Sequence, residues 1–156
     1  MELLLPVTIA FANAQVEAGA DCILICDHAS ADLCSPTVYA NFLAPIHTRL
    51  AEEIKIPLIL HICGNTRDRI KKIVDTRLNC FHWDTKSGTP EQIRKLAGDK
   101  LALMGGINNK SLLTGSPEDI SWQSIQAQRA GIDIIGPECA IPLKTPLRNL
   151  KAIKPT

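Results

Sequence analysis

Aromatic side chains are scarce in this chain: Phe, Trp and Tyr together make up 4% of its 156 residues. A chain of this length can bury a sizeable core, which must therefore rest on Ile, Leu, Val and Ala. Charge of one sign is missing as well. The 17 basic and 16 acidic side chains leave a net charge of +1. With no dense Lys/Arg block, a surface that neutralises nucleic-acid phosphates is excluded. Long apolar runs are absent too. The longest, Cys22–Cys26 and Pro57–Ile62, fall far short of the roughly 20 residues of a bilayer-spanning helix. The stretch from Met1 to Ala14 is apolar but carries Glu2 where a signal peptide would carry positive charge, which points to a cytoplasmic protein. No G-x-G-x-x-G or G-x-x-x-x-G-K phosphate loop occurs. No linker or low-complexity segment divides the chain, so residues 1–156 read as a single domain.

What is present is an alternation of short β-rich runs with amphipathic helical runs. The apolar runs are Cys22–Cys26, Pro57–Ile62, Asn79–Trp83, Leu101–Met104 and Asp133–Gly136, of which Asn79–Trp83 is the weakest. Most are near-continuous, the pattern of parallel strands covered on both faces. Ser35-Pro36, Thr89-Pro90, Ser116-Pro117 and Thr145-Pro146 each set a hydroxyl N-cap before a first-turn proline, and Thr89 with Gln92 fits a capping box. After Pro36, residues Tyr39, Phe42, Leu43, Ile46, Leu50 and Ile54 form a helical stripe that must face a sheet. Gly19, Gly98 and Gly131 sit where helices should stop. The sum is about five βα units, either part of a (β/α) barrel or an open α/β sheet. A closed eight-stranded barrel needs about 250 residues, so these units cannot complete one alone.

In parallel α/β folds, functional groups gather where strands end. Four such ends are informative: Cys26 to Ser30, His61 to Asn65, Met104 to Asn108 and Gly136 to Ala140. His61 and Cys63 are two apart at a strand end, so alternation puts both on one face and Ile62 on the other. An imidazole and a thiolate converging this way are half of a zinc site. Cys139 follows the last strand at the same end of the sheet. Three ligands of this kind leave a fourth position open, the arrangement of a catalytic zinc that binds a thiol and lowers its pKa. The bland alternative is a hydrogen-bonded strand-end histidine and a small buried thiol. Of the six cysteines, Cys22, Cys26 and Cys80 read as reduced core or strand-end residues. Asp27 could contact substrate or a ligand histidine, or cap its own loop. Glu138 could fill the open metal position or point to solvent. Asn65 is a helix cap or a cofactor contact, and Gly105-Gly106 permits close approach of a ligand to backbone. His28, His47 and His82 are poor ligand candidates: His47 lies beside the helical stripe, and Phe81 and Trp83 flank His82.

The stretch Leu60 to Thr66 resembles the zinc-binding segment of the methylcobamide:coenzyme M methyltransferases, a family within the uroporphyrinogen decarboxylase superfamily. Ile134 to Pro146, followed by Asn149 to Ala152, is similar to the closing βα unit of that family. Ala12 to Gln15 with Glu17 to Asp21, the loop from Asp27 to Pro36 and Phe42 to Pro45 resemble its middle portion. The resemblance implies the C-terminal part of a (β/α)8 barrel of the TIM type, with His61, Cys63 and Cys139 as zinc ligands. It implies methyl transfer from a corrinoid (methylcobalamin type), carried by a partner protein, to a thiol such as coenzyme M. It also implies about three further βα units upstream, so a homodimer or a complementing chain is expected to cover the open sheet edges. A degenerate half-barrel that binds zinc or a corrinoid protein without catalysis is the alternative. Decarboxylation of a uroporphyrinogen is not expected, because the arginine-rich segment and catalytic aspartate of true decarboxylases have no counterpart here.

Overall fold

A computed structural model describes residues 3–154. Met1 and Glu2, on which the reading of the N-terminal stretch turns, lie outside the described residues. The elements run α1 (Leu5–Glu17), β1 (Ile23–Asp27), α2 (Pro36–Val38), a π-helical turn (Tyr39–Leu43), α3 (Ala44–Glu53), β2 (Leu58–Ile62), α4 (Ile70–Asp75), β3 (Cys80–Trp83), a 3₁₀ turn (Thr85–Ser87), α5 (Pro90–Ala97), β4 (Ala102–Ile107), α6 (Asn109–Thr114), α7 (Pro117–Arg129), β5 (Ile134–Pro137) and α8 (Leu147–Lys151). All five strands are parallel and pair in chain order, β1-β2-β3-β4-β5. These are the five βα units that the alternation of elements implies, arranged as in the barrel segment that the family resemblance implies. Among the described residues no helix is long and apolar enough to cross a membrane.

The caps act as the serine- and threonine-proline pairs suggest. Ser35 Oγ accepts from the Val38 amide at 3.2 Å, and Thr89 and Ser116 each close a capping box, with Gln92 and Asp119. Thr145-Pro146 behaves differently: Pro146 itself is the N-cap of α8, and no side chain caps that helix. The segment after Pro36 is not one regular helix either. Pro45 has no N–H to offer the preceding turn, and the chain widens into a π turn closed by the Ala44 amide on Tyr39 O. The extra residue shifts the helical phase. Tyr39, Leu50 and Ile54 stay buried, while Phe42 of the expected stripe is 61% exposed.

Register decides which side chains share a face. Leu60, Phe81 and Leu103 stand side by side across β2, β3 and β4, as do Ile62 and Trp83, and all five are fully buried. The opposite face carries the row Cys26, His61, His82, Met104 and Ile134. One face is therefore apolar core and the other presents imidazoles and sulfur. β3, the weakest strand in the sequence, is the sheet's centre, and all four of its residues are buried. The two outer strands are not covered on both faces: Leu24 on β1 and Ile134 on β5 are 49% and 43% exposed. Cys22 and Cys26, expected as core or strand-end thiols, are exposed for the same reason, whereas Cys80 is buried. All six cysteines are free.

Candidate metal centre

β2 ends at Ile62, directly after His61, and the β1–β2 ladder runs one step further through the Cys63 amide on Asp27 O, at 3.4 Å. Gly64 then turns the chain at φ +97°, where a Cβ would stand 2.9 Å from Ser30 Oγ, so only glycine fits. At the far edge, the Glu138 amide donates to Ile107 O at 2.8 Å and holds the start of the β5 loop against β4. The loop brings the Cys139 sulfur to 3.6 Å from that of Cys63. With one nitrogen of His61, the three ligand atoms lie within 4.8 Å of one another. Two thiolates on one tetrahedral zinc, at about 2.3 Å each, stand about 3.8 Å apart, so the sulfur pair already has the spacing of a shared cation.

The imidazole is set for the same purpose. His61 Nδ1 lies 3.0 Å from His82 O, an acceptor only, so Nδ1 carries the proton and donates. That leaves Nε2 as an unprotonated acceptor which is buried and has no hydrogen-bond partner. A buried orphan of this kind costs about 1–3 kcal/mol and suits a bound metal, whose ligand histidines hold their other nitrogen in this way. Burial, and then the neighbouring Cys139, push the Cys63 thiol up to about 11. Two adjacent sulfurs cannot both ionise cheaply without a cation, and a dication reverses that preference. The residues present fit a soft divalent metal.

Three polar residues support the trio. Asp84, not singled out in the sequence, is buried just past β3. Its Oδ2 accepts from the Gly64 amide at 2.8 Å and lies 3.8 Å from Cys63 Sγ, and its Oδ1 accepts from the Lys86 amide at 2.9 Å. The usable signal was an acid directly after a strand, hidden because that strand looked weakest. Arg69, fully buried, ties the β2 loop to the β1 loop by donating to Ala29 O at 2.7 Å and Cys34 O at 2.9 Å. Glu138 neither ligates alongside the trio nor faces solvent, the two expected alternatives. It is 8% exposed, and its carboxylate accepts from Thr85 N at 3.0 Å, Thr85 Oγ1, Asn108 Nδ2 at 3.0 Å and Asn109 N at 2.8 Å. It joins three strand-end loops because four donors converge there, which a strand-end position alone cannot foretell.

The chain as a whole has counterparts. The model of the family described as uroporphyrinogen decarboxylase (URO-D) matches residues 1–154. The chain belongs to the URO-D family. It is similar to the methylcobamide:CoM methyltransferase MtaA of Methanosarcina barkeri, 37% identical over 93% of this chain and 43% of that protein. It is similar also to the methylated-thiol–coenzyme M methyltransferase of Methanosarcina mazei, 33% identical over 92% of this chain and 39% of that protein. A solved structure titled methyltransferase from Methanosarcina mazei superposes with a TM-score of 0.94 at 33% identity, over 97% of this chain and 46% of the other. The chain thus spans less than half the length of the relatives it matches.

Within this URO-D chain the remaining candidate residues take other places. Asp27 does cap its own loop, accepting at Oδ1 from the amides of His28 and Ala29. Its Oδ2 meets His47 Nε2 at 3.0 Å, and His47 Nδ1 meets the Tyr39 hydroxyl at 3.0 Å. The histidine it contacts is therefore not one of the trio. Burial alone would raise the Asp27 pKa, but His47 and the two amides outweigh it and hold the carboxyl below its ordinary value. Asn65 does not cap α4, which begins five residues later; its Oδ1 accepts from the Arg67 amide at 3.1 Å in a local turn. Gly105 and Gly106 serve packing. A Cβ on Gly105 would stand 3.3 Å from the Trp83 ring, and one on Gly106 would stand 2.8 Å from Ala127 Cβ. Gly106 also lines a cavity of about 290 Å³ between α5 and α7, away from the sulfur pair.

Proposed function

We propose that this chain is the metal-bearing part of a zinc-dependent methyltransferase, which moves a methyl group from a corrinoid carried by a partner protein to a thiol such as coenzyme M. The observation that carries this reading is the convergence of an unpartnered His61 Nε2 with two sulfurs 3.6 Å apart, in a chain whose relatives are named as methylcobamide:CoM methyltransferases. Bound zinc would supply the Lewis acidity that makes an incoming thiol a thiolate near neutral pH. The chain's own residues do the rest. His61, Cys63 and Cys139 hold three positions and leave a fourth for the acceptor sulfur. The His82 carbonyl fixes the His61 tautomer, and Glu138 fixes the loop that delivers Cys139.

A second reading, a half-barrel that holds metal without catalysis, is favoured by one observation. Among the described residues no strand pairs with the outer edge of β1, and the outer side of the adjoining α1 is apolar, with Val7 64% and Phe11 69% exposed. A complementing chain or second copy would cover that face and complete the cavity in which a corrinoid meets the thiol. Free cysteines throughout suit a reducing cytoplasm. The test is to supply zinc-loaded protein with methylcobalamin and coenzyme M and follow loss of the methylcobalamin spectrum. Thiol-dependent demethylation supports methyl transfer; zinc bound stoichiometrically with no demethylation leaves the non-catalytic reading.

A further inference from the structure

The trio is assembled from two distant places, the end of β2 and the loop after β5, and some contact has to set the distance between them. We propose that His82 is the positioning residue that does so, holding the His61–Cys63 pair by its carbonyl and ring and the Cys139 loop by its Nε2, at metal-ligating separation. The inference rests on the reading that the trio holds a metal.

His82 touches both halves. Its backbone carbonyl accepts from His61 Nδ1 at 3.0 Å, and its ring stacks on the His61 ring with centroids 4.4 Å apart and planes tilted by 38°. On the other side its Nε2 lies 2.7 Å from Pro137 O. A carbonyl only accepts, so Nε2 carries the proton and donates. Pro137 is two residues before Cys139. This bond is not part of the sheet ladder: His82 belongs to β3 and Pro137 to β5, and β4 runs between them. A Cβ added at Gly136, directly before Pro137, would meet nothing within 4 Å. Among the described residues β5 is the outer strand of the sheet, and the imidazole takes a carbonyl that no further described strand claims. His82 is 6% exposed and the bond is part-buried, so losing the donor would leave a half-buried acceptor unpaired as well as release the loop.

A histidine that merely filled space would behave differently. Phe copies the ring's bulk and stacking but donates nothing, whereas Gln lacks the ring but carries an N–H that reaches a comparable place. Zinc affinity, measured by competition with a chromophoric chelator on the intact chain, separates the two. Residues that orient metal ligands are worth 10–100-fold in affinity. His82→Phe is expected to lose about that factor, with His82→Gln recovering most of the loss. The reverse order, with Phe retaining affinity and Gln losing it, would overturn the positioning role in favour of packing. Equal affinity in all three proteins would also remove it, while leaving the metal reading intact; failure of the unaltered chain to bind zinc would remove both. Should His82→Phe not fold, the imidazole ¹⁵N–¹H spectrum of the zinc-loaded, unaltered protein decides. His82 protonated on Nε2 and His61 on Nδ1 support the proposal, and His82 protonated on Nδ1 contradicts it.

Discussion

Replacing Glu138 with Gln exchanges one negative oxygen for an amide at a junction where four donors converge. The new NH₂ must face two donors on one side. The less costly orientation turns it toward Thr85, whose hydroxyl can rotate to accept; the other orientation would strand Asn109 N and leave Asn108 Nδ2 only Thr85 Oγ1, at 3.1 Å. Even so, the Thr85 amide is left buried without an acceptor, which costs about 1–3 kcal/mol. The two bonds that survive lose charge assistance, about 0.5–1 kcal/mol each. The sum is about 3 kcal/mol, a large share of the 5–15 kcal/mol that holds a domain together. For a chain of this size that is a fall in melting temperature of roughly 6–12 °C. Urea unfolding followed by far-ultraviolet circular dichroism, with the slope unchanged from the parent, gives the number directly. A loss under about 0.5 kcal/mol, the range of ordinary surface substitutions, would mean that Glu138 faces water and that the three loops are joined by something else.

Gly106→Ala should cost about 2 kcal/mol or more, because φ +101° strains an alanine and its Cβ would meet Ala127 Cβ at 2.8 Å; unchanged thermal denaturation would contradict the packing role. Asp27→Asn tests the His47 contact through pH. The Asp27 carboxyl titrates below its ordinary value in the folded chain, so its stabilisation is present above the ordinary carboxylate pKa and lost as the pH falls through the folded pKa. The stability gap between the parent and Asp27→Asn should accordingly close on acidification below about pH 4, and a gap that widens would refute the assignment. Saturating zinc should raise the melting temperature by an amount equivalent to about 2.7 kcal/mol at a hundredfold excess over Kd. Chelation should reverse that rise, and Cys63→Ser should not show it.

The barrel segment was legible because its signals are local. Proline after a hydroxyl residue starts α2, α5 and α7, and strand-sized apolar runs separate them. The trio was legible in outline because an H-x-C pair at a strand end fixes a common face whatever the rest does. What escaped was set by convergence in space. His82 and Trp83 alternate between the face of the His61–Cys63–Cys139 trio and the core within a strand whose sequence looks irregular, so neither a histidine beside the trio nor the β3 centre announces itself. Glu138 reads as a surface acid until Thr85, Asn108 and Asn109 are placed around it. Asp84 and Arg69 are invisible for the same reason, being charged residues buried by partners about 20 to 40 positions away in the chain. Gly105 and Gly106 were misleading in the other direction, since a glycine that yields to Trp83 or to α7 looks the same in sequence as one that yields to a ligand.

Metal content tests the central claim most directly. Purified chain, dialysed against trace zinc and measured by plasma mass spectrometry beside a Cys63→Ser, Cys139→Ser double variant, should carry about one zinc per chain, and the variant almost none at an unchanged circular dichroism spectrum. Equal zinc in both proteins would contradict the account, because the only feature separating them is the sulfur pair on which it depends.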